Sequence, residues 1–443
     1  MNVTRRGLLK GTGVALAASP LVGTMILGVT GPGLLEEQRA GARREGLPLT
    51  PDDLRPNPPV PDSQNAGPLL KELTQRYNAL PKRECNLWDK AASDFLKNPK
   101  DATAQAEFSA GLTRYAALIT LVEDALERPH CDLAYDWSLG PNLLLPEFAV
   151  LRQFARTLIC RALLAQDASA AWADITRAAK LGNLIGETPC IIAALVSVAI
   201  HANADKGYIE TLKRFGPSPE AHAAHAAFGP PLDPEHYFKG EVVLSTVCMK
   251  LLREGKLAYP EEANIDNDGN SYGFAGSSVT KTFSLVSPIA AAFWEKQLLV
   301  FWRKAFQIIR EAKRTDDYSK MQEMDRFLKA WERDRINLPQ NVMALLLAPV
   351  FSQAPRKTQL TILAQKNLRE SALALLEERA KTGAFPDSPT LPLDPLSPTK
   401  QTLRYKKEGT GCTLYSVGDD GKDDGGMAKR TKNSDGLDLV VRL

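Results

Sequence analysis

The stretch Leu151-Arg-Gln-Phe-Ala-Arg-Thr-Leu-Ile-Cys-Arg-Ala-Leu-Leu-Ala-Gln-Asp-Ala-Ser-Ala-Ala-Trp-Ala-Asp-Ile-Thr-Arg-Ala-Ala-Lys-Leu-Gly-Asn-Leu184 decides the fold. Leu151, Phe154, Ala155, Leu158, Ile159, Ala162 and Leu163 recur at three- and four-residue spacings, which places them on one face of a helix. The polar run Gln166-Asp-Ala-Ser169 interrupts that face. A second face resumes through Ala171, Trp172, Ile175, Ala178, Ala179, Leu181 and Leu184, and stops before Pro189. Two helices joined by so short a turn must pack antiparallel, and their small residues let them approach closely.

This hairpin resembles a single tetratricopeptide-type unit. A second copy at a fixed period is missing, so the pattern does not extend to a superhelical array. Working outward, Ile191–Lys213 is apolar on most sides through Ile200 and is expected at the centre of the body. Ile289–Lys313 carries Phe293, Trp294, Leu298, Phe301, Trp302, Phe306 and Ile309 as a core stripe. From about Leu69 to Ala380 the reading is helical, with β-structure confined to the C-terminal module. The fold class is mainly α: an antiparallel helical-hairpin body followed by a small antiparallel β module. The implied boundaries are 1–35 for a signal or anchor, 36–68 for a proline-rich tether, 69–355 for the helical body and 356–443 for the final module.

Composition agrees with a folded body. The 443 residues are 44% hydrophobic, enough for a sizeable core, and the formal net charge is only +3. Near-balanced charge without basic blocks argues against a nucleic-acid partner. The six cysteines are scattered with no Cys-x-x-Cys, and Cys160 and Cys190 fall on apolar helical faces as buried free thiols. Catalytic signatures are thin: Gly-x-Ser-x-Gly, phosphate-loop and dinucleotide glycine patterns are all missing. His222-x-x-His225 with Glu235-His236 offers nitrogen ligands at zinc-like spacing, but surface histidines are the simpler reading. Asp266-Asn-Asp268-Gly-Asn270-Ser271 starts like a calcium loop yet has Ser277 where the bidentate Glu belongs, so it reads as a polar loop.

Near the start, Thr4-Arg5-Arg6-Gly7-Leu8-Leu9-Lys10 precedes Gly11–Leu35, a segment without an ionisable side chain. The pattern resembles the twin-arginine export signal of bacteria, which implies passage across the inner membrane. Two readings stay open. Ala15-Leu16-Ala17 can serve as a small-residue cleavage site, which would release the protein into the periplasm. Alternatively the segment is long enough for an uncleaved transmembrane helix, with the basic start kept in the cytoplasm and the body facing the periplasm. The prolines between Gly46 and Pro68 predict an extended strap. Basic start, apolar segment, Pro-Leu-Thr…Pro-Val-Pro-Asp…Asn-Ala strap and helices together resemble a group of uncharacterised bacterial envelope proteins, a resemblance that carries architecture only.

At the other end, a helix over Gln359–Lys381 is expected to stop at Gly383 in a left-handed cap. Strands follow at Thr402–Tyr405, Cys412–Val417 and Leu437–Leu443. Gly383, Phe385-Pro386, Asp394-Pro395, Tyr405 and Ser416-x-Gly418-x-Asp420-Gly421 match, in order, the C-terminal module of the major pseudopilin of type II secretion. The pseudopilin processing motif Gly-Phe-Thr-Leu-Ile-Glu is absent, which argues against assembly into a pilus. The resemblance implies a calcium site, with Asp420 the best-placed ligand, then Asp424 and Asp423, and finally Asp438. Crowded carboxylates, Asp419 among them, repel one another, and a hard cation relieves that repulsion.

Two function classes follow. The favoured one is a non-catalytic, membrane-tethered envelope protein that binds a protein partner, in a scaffold or secretion-related role. The other is an exported hydrolase with a site hidden among the helices.

Overall fold

The computed structural model describes residues 32–254, 256, 264–265, 271–272, 288–315, 317–321, 323–324, 326, 354–418, 420–427 and 438–443. Its helices are α1 (Pro32–Arg44), α2 (Gly67–Asn78), α3 (Lys82–Lys97), α4 (Ala102–Arg114), α5 (Ala116–Leu126) and α6 (Glu147–Leu164). They continue as α7 (Ala168–Gly186), α8 (Ile191–Phe215), α9 (Pro219–Ala226), α10 (Pro234–Arg253), α11 (Pro288–Arg314) and α12 (Ala354–Thr382). Strands are β1 (Asn264–Ile265), β2 (Ser271–Tyr272), β3 (Arg404–Glu408), β4 (Gly411–Ser416) and β5 (Leu439–Arg442). The protein is mainly α, with a three-stranded antiparallel sheet at its C-terminus. Two units interleave along the chain. One gathers the described residues of Met1–Arg55, Tyr135–Leu144 and Phe238–Ser352, the other those of Pro56–Ala134, Leu145–Tyr237 and Gln353–Leu443.

In the second unit, α6 and α7 form the hairpin that the spacing predicts. Asp167 caps α7 by accepting the Ala170 N–H at 2.8 Å, which satisfies one of the orphan donors of the first turn. Arg161 of α6 reaches the buried Asp174 of α7 through Nε at 2.6 Å and also binds Glu123 of α5, so one guanidinium fork ties three helices. Helix α8 lies against both hairpin helices and against α12. Close approach is possible because Gly207 has no side chain: a Cβ there would sit 2.7 Å from Ile159 and 2.8 Å from Ile175. Trp172 and Tyr208 fill the space beside it, ring centroids 5.2 Å apart. Its expected central position holds for Ile191, Ala194, Ile200, Ala204 and Leu212, all buried, whereas Ile192 and Leu195 face outward.

Helix α12 ends where Gly383 takes up a φ of 82° and its N–H reaches the Arg379 carbonyl at 2.8 Å. The sheet order is β3-β4-β5, with Tyr405 opposite Leu414 and Leu414 opposite Val441, and β4 packs on α12. At the other end of this unit, Asn65 acts as a clamp. Its Oδ1 accepts the N–H groups of Gly67 at 2.9 Å and Asp132 at 2.8 Å, while Nδ2 donates to the Asp132 carbonyl at 3.2 Å.

The first unit is built on α11. Trp294, Leu298, Phe301, Trp302, Phe306 and Ile309 are buried as the expected core stripe, and Trp302 donates to Ser245 Oγ at 2.9 Å. Glu295, only 2% exposed, receives Arg39 of α1 and Arg253 of α10 on its two oxygens.

Three expectations require correction. Among the described residues no helix is long and apolar enough to cross a membrane, against the expected transmembrane helix. Leu34 and Leu35, the last residues of the uncharged run, belong to α1. That helix goes on through Glu36, Glu37, Arg39, Arg43 and Arg44, and Arg39 anchors it to a buried carboxylate of α11. Residues 11–31 of the run lie outside the described residues. Secondly, β-structure is not confined to the C-terminus: β1 and β2 pair antiparallel, Asn264 opposite Tyr272. Asp266–Asn270 and Ser277, the calcium-like loop, lie outside the described residues. The proline-rich stretch is also less extended than expected, since it folds into short 3-10 turns at Pro51–Leu54 and Asp62–Gln64.

Candidate functional site

A small cleft in the second unit, with a free volume of only about 20 Å³, brings together side chains that hydrophobic spacing alone does not single out. Helix α8 contributes His201 and Asp205, one turn apart and therefore on one face. Helix α12 contributes Ile362, Gln365, Lys366 and Arg369, spaced three, one and three residues apart along the facing stripe. The loop after α9 closes the third side with Phe228, Pro230, Pro231 and Leu232. Gly229 turns that loop with a φ of 68°. Tyr208, beneath the same face of α8, donates its hydroxyl proton to the Ala221 carbonyl at 3.2 Å and so holds α9, which leads into the loop.

At the floor, Arg369 Nη1 donates to Asp205 Oδ1, and the guanidinium carbon lies 3.8 Å from the centre of the Phe228 ring. The pair is buried, Asp205 at 9% and Arg369 at 5% exposure. A charge removed from water in this way needs its remaining polar atoms satisfied. Here they are not. Asp205 Oδ2 and Arg369 Nε are both buried without a hydrogen-bond partner. Burial lifts the Asp205 carboxyl above its ordinary value, with the Arg369 charge opposing that shift.

His201 completes the floor. Its Nε2 lies 3.1 Å from the Ala179 carbonyl. A carbonyl only accepts, so Nε2 carries the proton and Nδ1 is left as a lone-pair acceptor. Burial first, and the Arg369 charge second, bring this imidazole down to about 4. It is therefore neutral at physiological pH. The cleft thus combines two acceptors on α8, a fixed donor on α12, and apolar walls of Phe228, the two prolines, Leu232 and Ile362.

The zinc-like histidines take separate partners. His222 Nε2 lies 2.7 Å from Glu377, His225 Nε2 lies 3.4 Å from Glu370, and His236 Nε2 lies 2.8 Å from the Glu187 carbonyl. In the C-terminal module, Asp420 accepts the Lys422 N–H at 3.0 Å. Asp423 is engaged by Tyr415 at 3.0 Å and by Arg404 at 3.1 Å. Asp438 accepts the N–H groups of Gly426 at 2.7 Å and Asp424 at 3.4 Å. Asp424 Oδ2 is buried without a partner, and Asp419 lies outside the described residues. Among the described residues no group of three or more His, Cys, Asp or Glu side chains is placed to hold a metal. Of the implied calcium set, Asp424 and Asp438 lie together, the Asp424 N–H on Asp438, whereas Asp423 is paired with Arg404. Cys160 and Cys190 are buried and form no disulfide, Cys190 Sγ accepts the Ala193 N–H at 3.4 Å, and burial pushes the Cys160 thiol up.

His201, Asp205 and Arg369 escaped the sequence reading. A signal for two of them existed: a histidine and an aspartate at i,i+4 on a helix otherwise read as apolar. Arg369 gave none, because its partner lies far away in the chain. Comparison with protein-family models, with curated proteins and with solved structures finds no match. The site stands on its own geometry.

Proposed function

We propose that this chain is an exported, non-catalytic interaction protein of the bacterial envelope, whose helical body binds another protein. The observation that supports this reading is the cleft between α8 and α12, where fully buried polar atoms wait unpaired between apolar walls. A partner would meet the rim and the apolar walls of this opening, since the unpaired atoms beneath them are shut off from solvent. Interaction sites characteristically join apolar contact to a few fixed polar groups. The Thr4–Lys10 pattern supports delivery across the inner membrane by the twin-arginine route, and the likeness of the last module to pseudopilins supports a place near secretion machinery.

Site-specific photo-crosslinking tests the reading. With a benzoylphenylalanine at Lys366 or Ile362 of the full chain in living bacteria, the expected result is one reproducible adduct heavier than the 48.4 kDa protein. The same residue placed at the exposed Lys90 should not give that adduct. Absence of any adduct from the cleft positions, with normal protein levels, would refute the proposal.

A further inference from the structure

We infer that a groove along α11, in the first unit, binds an acidic peptide segment of a partner protein. This rests on the reading of the chain as a protein-binding body and adds a contact surface in its other unit. Val300, Arg303, Lys304, Gln307, Glu311 and Arg314 recur at three- and four-residue spacings, which places them on a face of α11 away from its core stripe. Val300, Lys304, Gln307 and Arg314 are exposed, and Ile308 is buried at the floor. Glu45, directly after α1, and Lys320 and Glu323, after α11, complete the walls. The free volume is about 830 Å³, which accommodates a peptide segment.

The charges of this groove are largely fixed. Arg303 donates from Nε to Glu45 Oε1 at 2.8 Å and from Nη1 to Gln38 at 3.0 Å. It can lie against α1 because Gly41 has no side chain, a Cβ there falling 3.0 Å from Arg303 Nη1. Arg310 Nη1 donates to the Glu45 carbonyl at 2.8 Å. Further along, Glu311 accepts from Arg314 Nη2 at 2.8 Å and from Lys320 at 3.0 Å. Exposed Lys304 holds no ion pair among the described residues. Five cations against three carboxylates leave the groove net cationic, and such a field draws in an acidic partner.

The charge pattern favours a peptide over a nucleic acid. Glu311 and Glu323 repel a continuous run of phosphates, and among the described residues no aromatic ring lines the groove for bases to stack on. A peptide carries its carboxylates singly and sets apolar side chains between them, for which exposed Val300 is a partner. Lys304 and Arg314 are ten positions apart, about 15 Å along the helix, a span that an extended segment covers in about five residues.

The test measures fluorescence anisotropy with the full chain and a labelled Glu-Leu-Glu-Leu-Glu peptide, acetylated and amidated at its ends. The expected result is saturable binding that weakens as salt is raised and is lost with Gln-Leu-Gln-Leu-Gln. Lys304→Glu should weaken it about tenfold, the worth of one hydrogen bond between charged groups. Gln307→Lys adds a cation between the two ends and should tighten it; should Lys304→Glu fail to fold, this variant carries the test. No saturable binding, or binding indifferent to both substitutions, would overturn the inference. Preferential binding of a thymidine octanucleotide would overturn it in favour of nucleic acid, and preferential capture by phosphatidylglycerol vesicles in favour of a lipid surface. Loss of peptide binding beside a persistent crosslink from Lys366 would remove this groove and leave the protein-binding reading standing. Peptide binding without that crosslink would uphold the groove and remove the cleft as the docking place.

Discussion

Asp205 and Arg369, 164 positions apart in the chain, form the buried ion pair through which α8 and α12 meet. Its burial makes the two partners unequal to remove. Truncating one leaves the other charge in a low-dielectric site without compensation, which typically costs about 3–5 kcal/mol. Removing both leaves an apolar gap instead. Asp205→Ala should therefore destabilise the protein by about 3–5 kcal/mol in urea unfolding, and Asp205→Leu with Arg369→Met should recover most of that loss. If the double variant is as unstable as the sum of the singles, the pair has no coupling and this account is wrong.

His201 gives the same site a pH dependence with a definite sign. Its folded value is lowered to about 4 from an ordinary 6.5, so between those limits the unfolded chain binds a proton that the native protein refuses. Stability is then complete above pH 6.5, falls as pH drops towards 4, and changes no further through this group below it. The full shift is worth about 3 kcal/mol. Unfolding midpoints measured from pH 7.5 to 4 should fall more steeply for the native sequence than for His201→Gln. Parallel curves would show that His201 titrates normally in the folded protein.

Gly182 on α7 supports the imidazole from behind. A Cβ at that position would lie 2.5 Å from His201 Nε2, inside any real contact distance. Gly182→Ala must displace the ring from the Ala179 carbonyl or push α7 from α8. Overpacking of this kind costs about 1–3 kcal/mol. We expect Gly182→Ala to lower stability by that amount and to move the His201 ring resonance, while the resonance of His130 stays in place. A variant as stable as the native protein would show that α7 and α8 pack less tightly than described.

What the sequence made legible was local. The α6–α7 hairpin follows from three- and four-residue spacing broken by the polar run Gln166–Ser169, and both signals lie within one stretch of chain. The Gly383 cap and the three C-terminal strands were equally readable, each within a few residues. The Asp205–Arg369 floor was not, because nothing in either helix states which distant helix it faces. The clamp at Asn65 is a second case: its neighbours suggested a strap, but the main-chain groups that it satisfies belong to Gly67 and Asp132. The end of the uncharged run is a third case: its last residues start a helix whose charges are used inside the fold, with Arg39 on Glu295, and hydropathy sees the absence of charge, not the partner that a following charge has.

Export remains the most direct property to measure. Arg5 and Arg6 precede an uncharged segment, a pattern that resembles the address read by the twin-arginine receptor. A reporter fused after Leu443 is expected outside the cytoplasm. Arg5→Lys together with Arg6→Lys keeps the positive charge but spoils the address, so reporter activity should collapse to the level seen in a strain lacking the twin-arginine translocase. Charge-driven orientation alone would be indifferent to that substitution, since lysine and arginine count equally in it. Undiminished export in both cases would assign the segment to the general secretory route and take the twin-arginine reading away, while leaving the cleft and its proposed partner untouched.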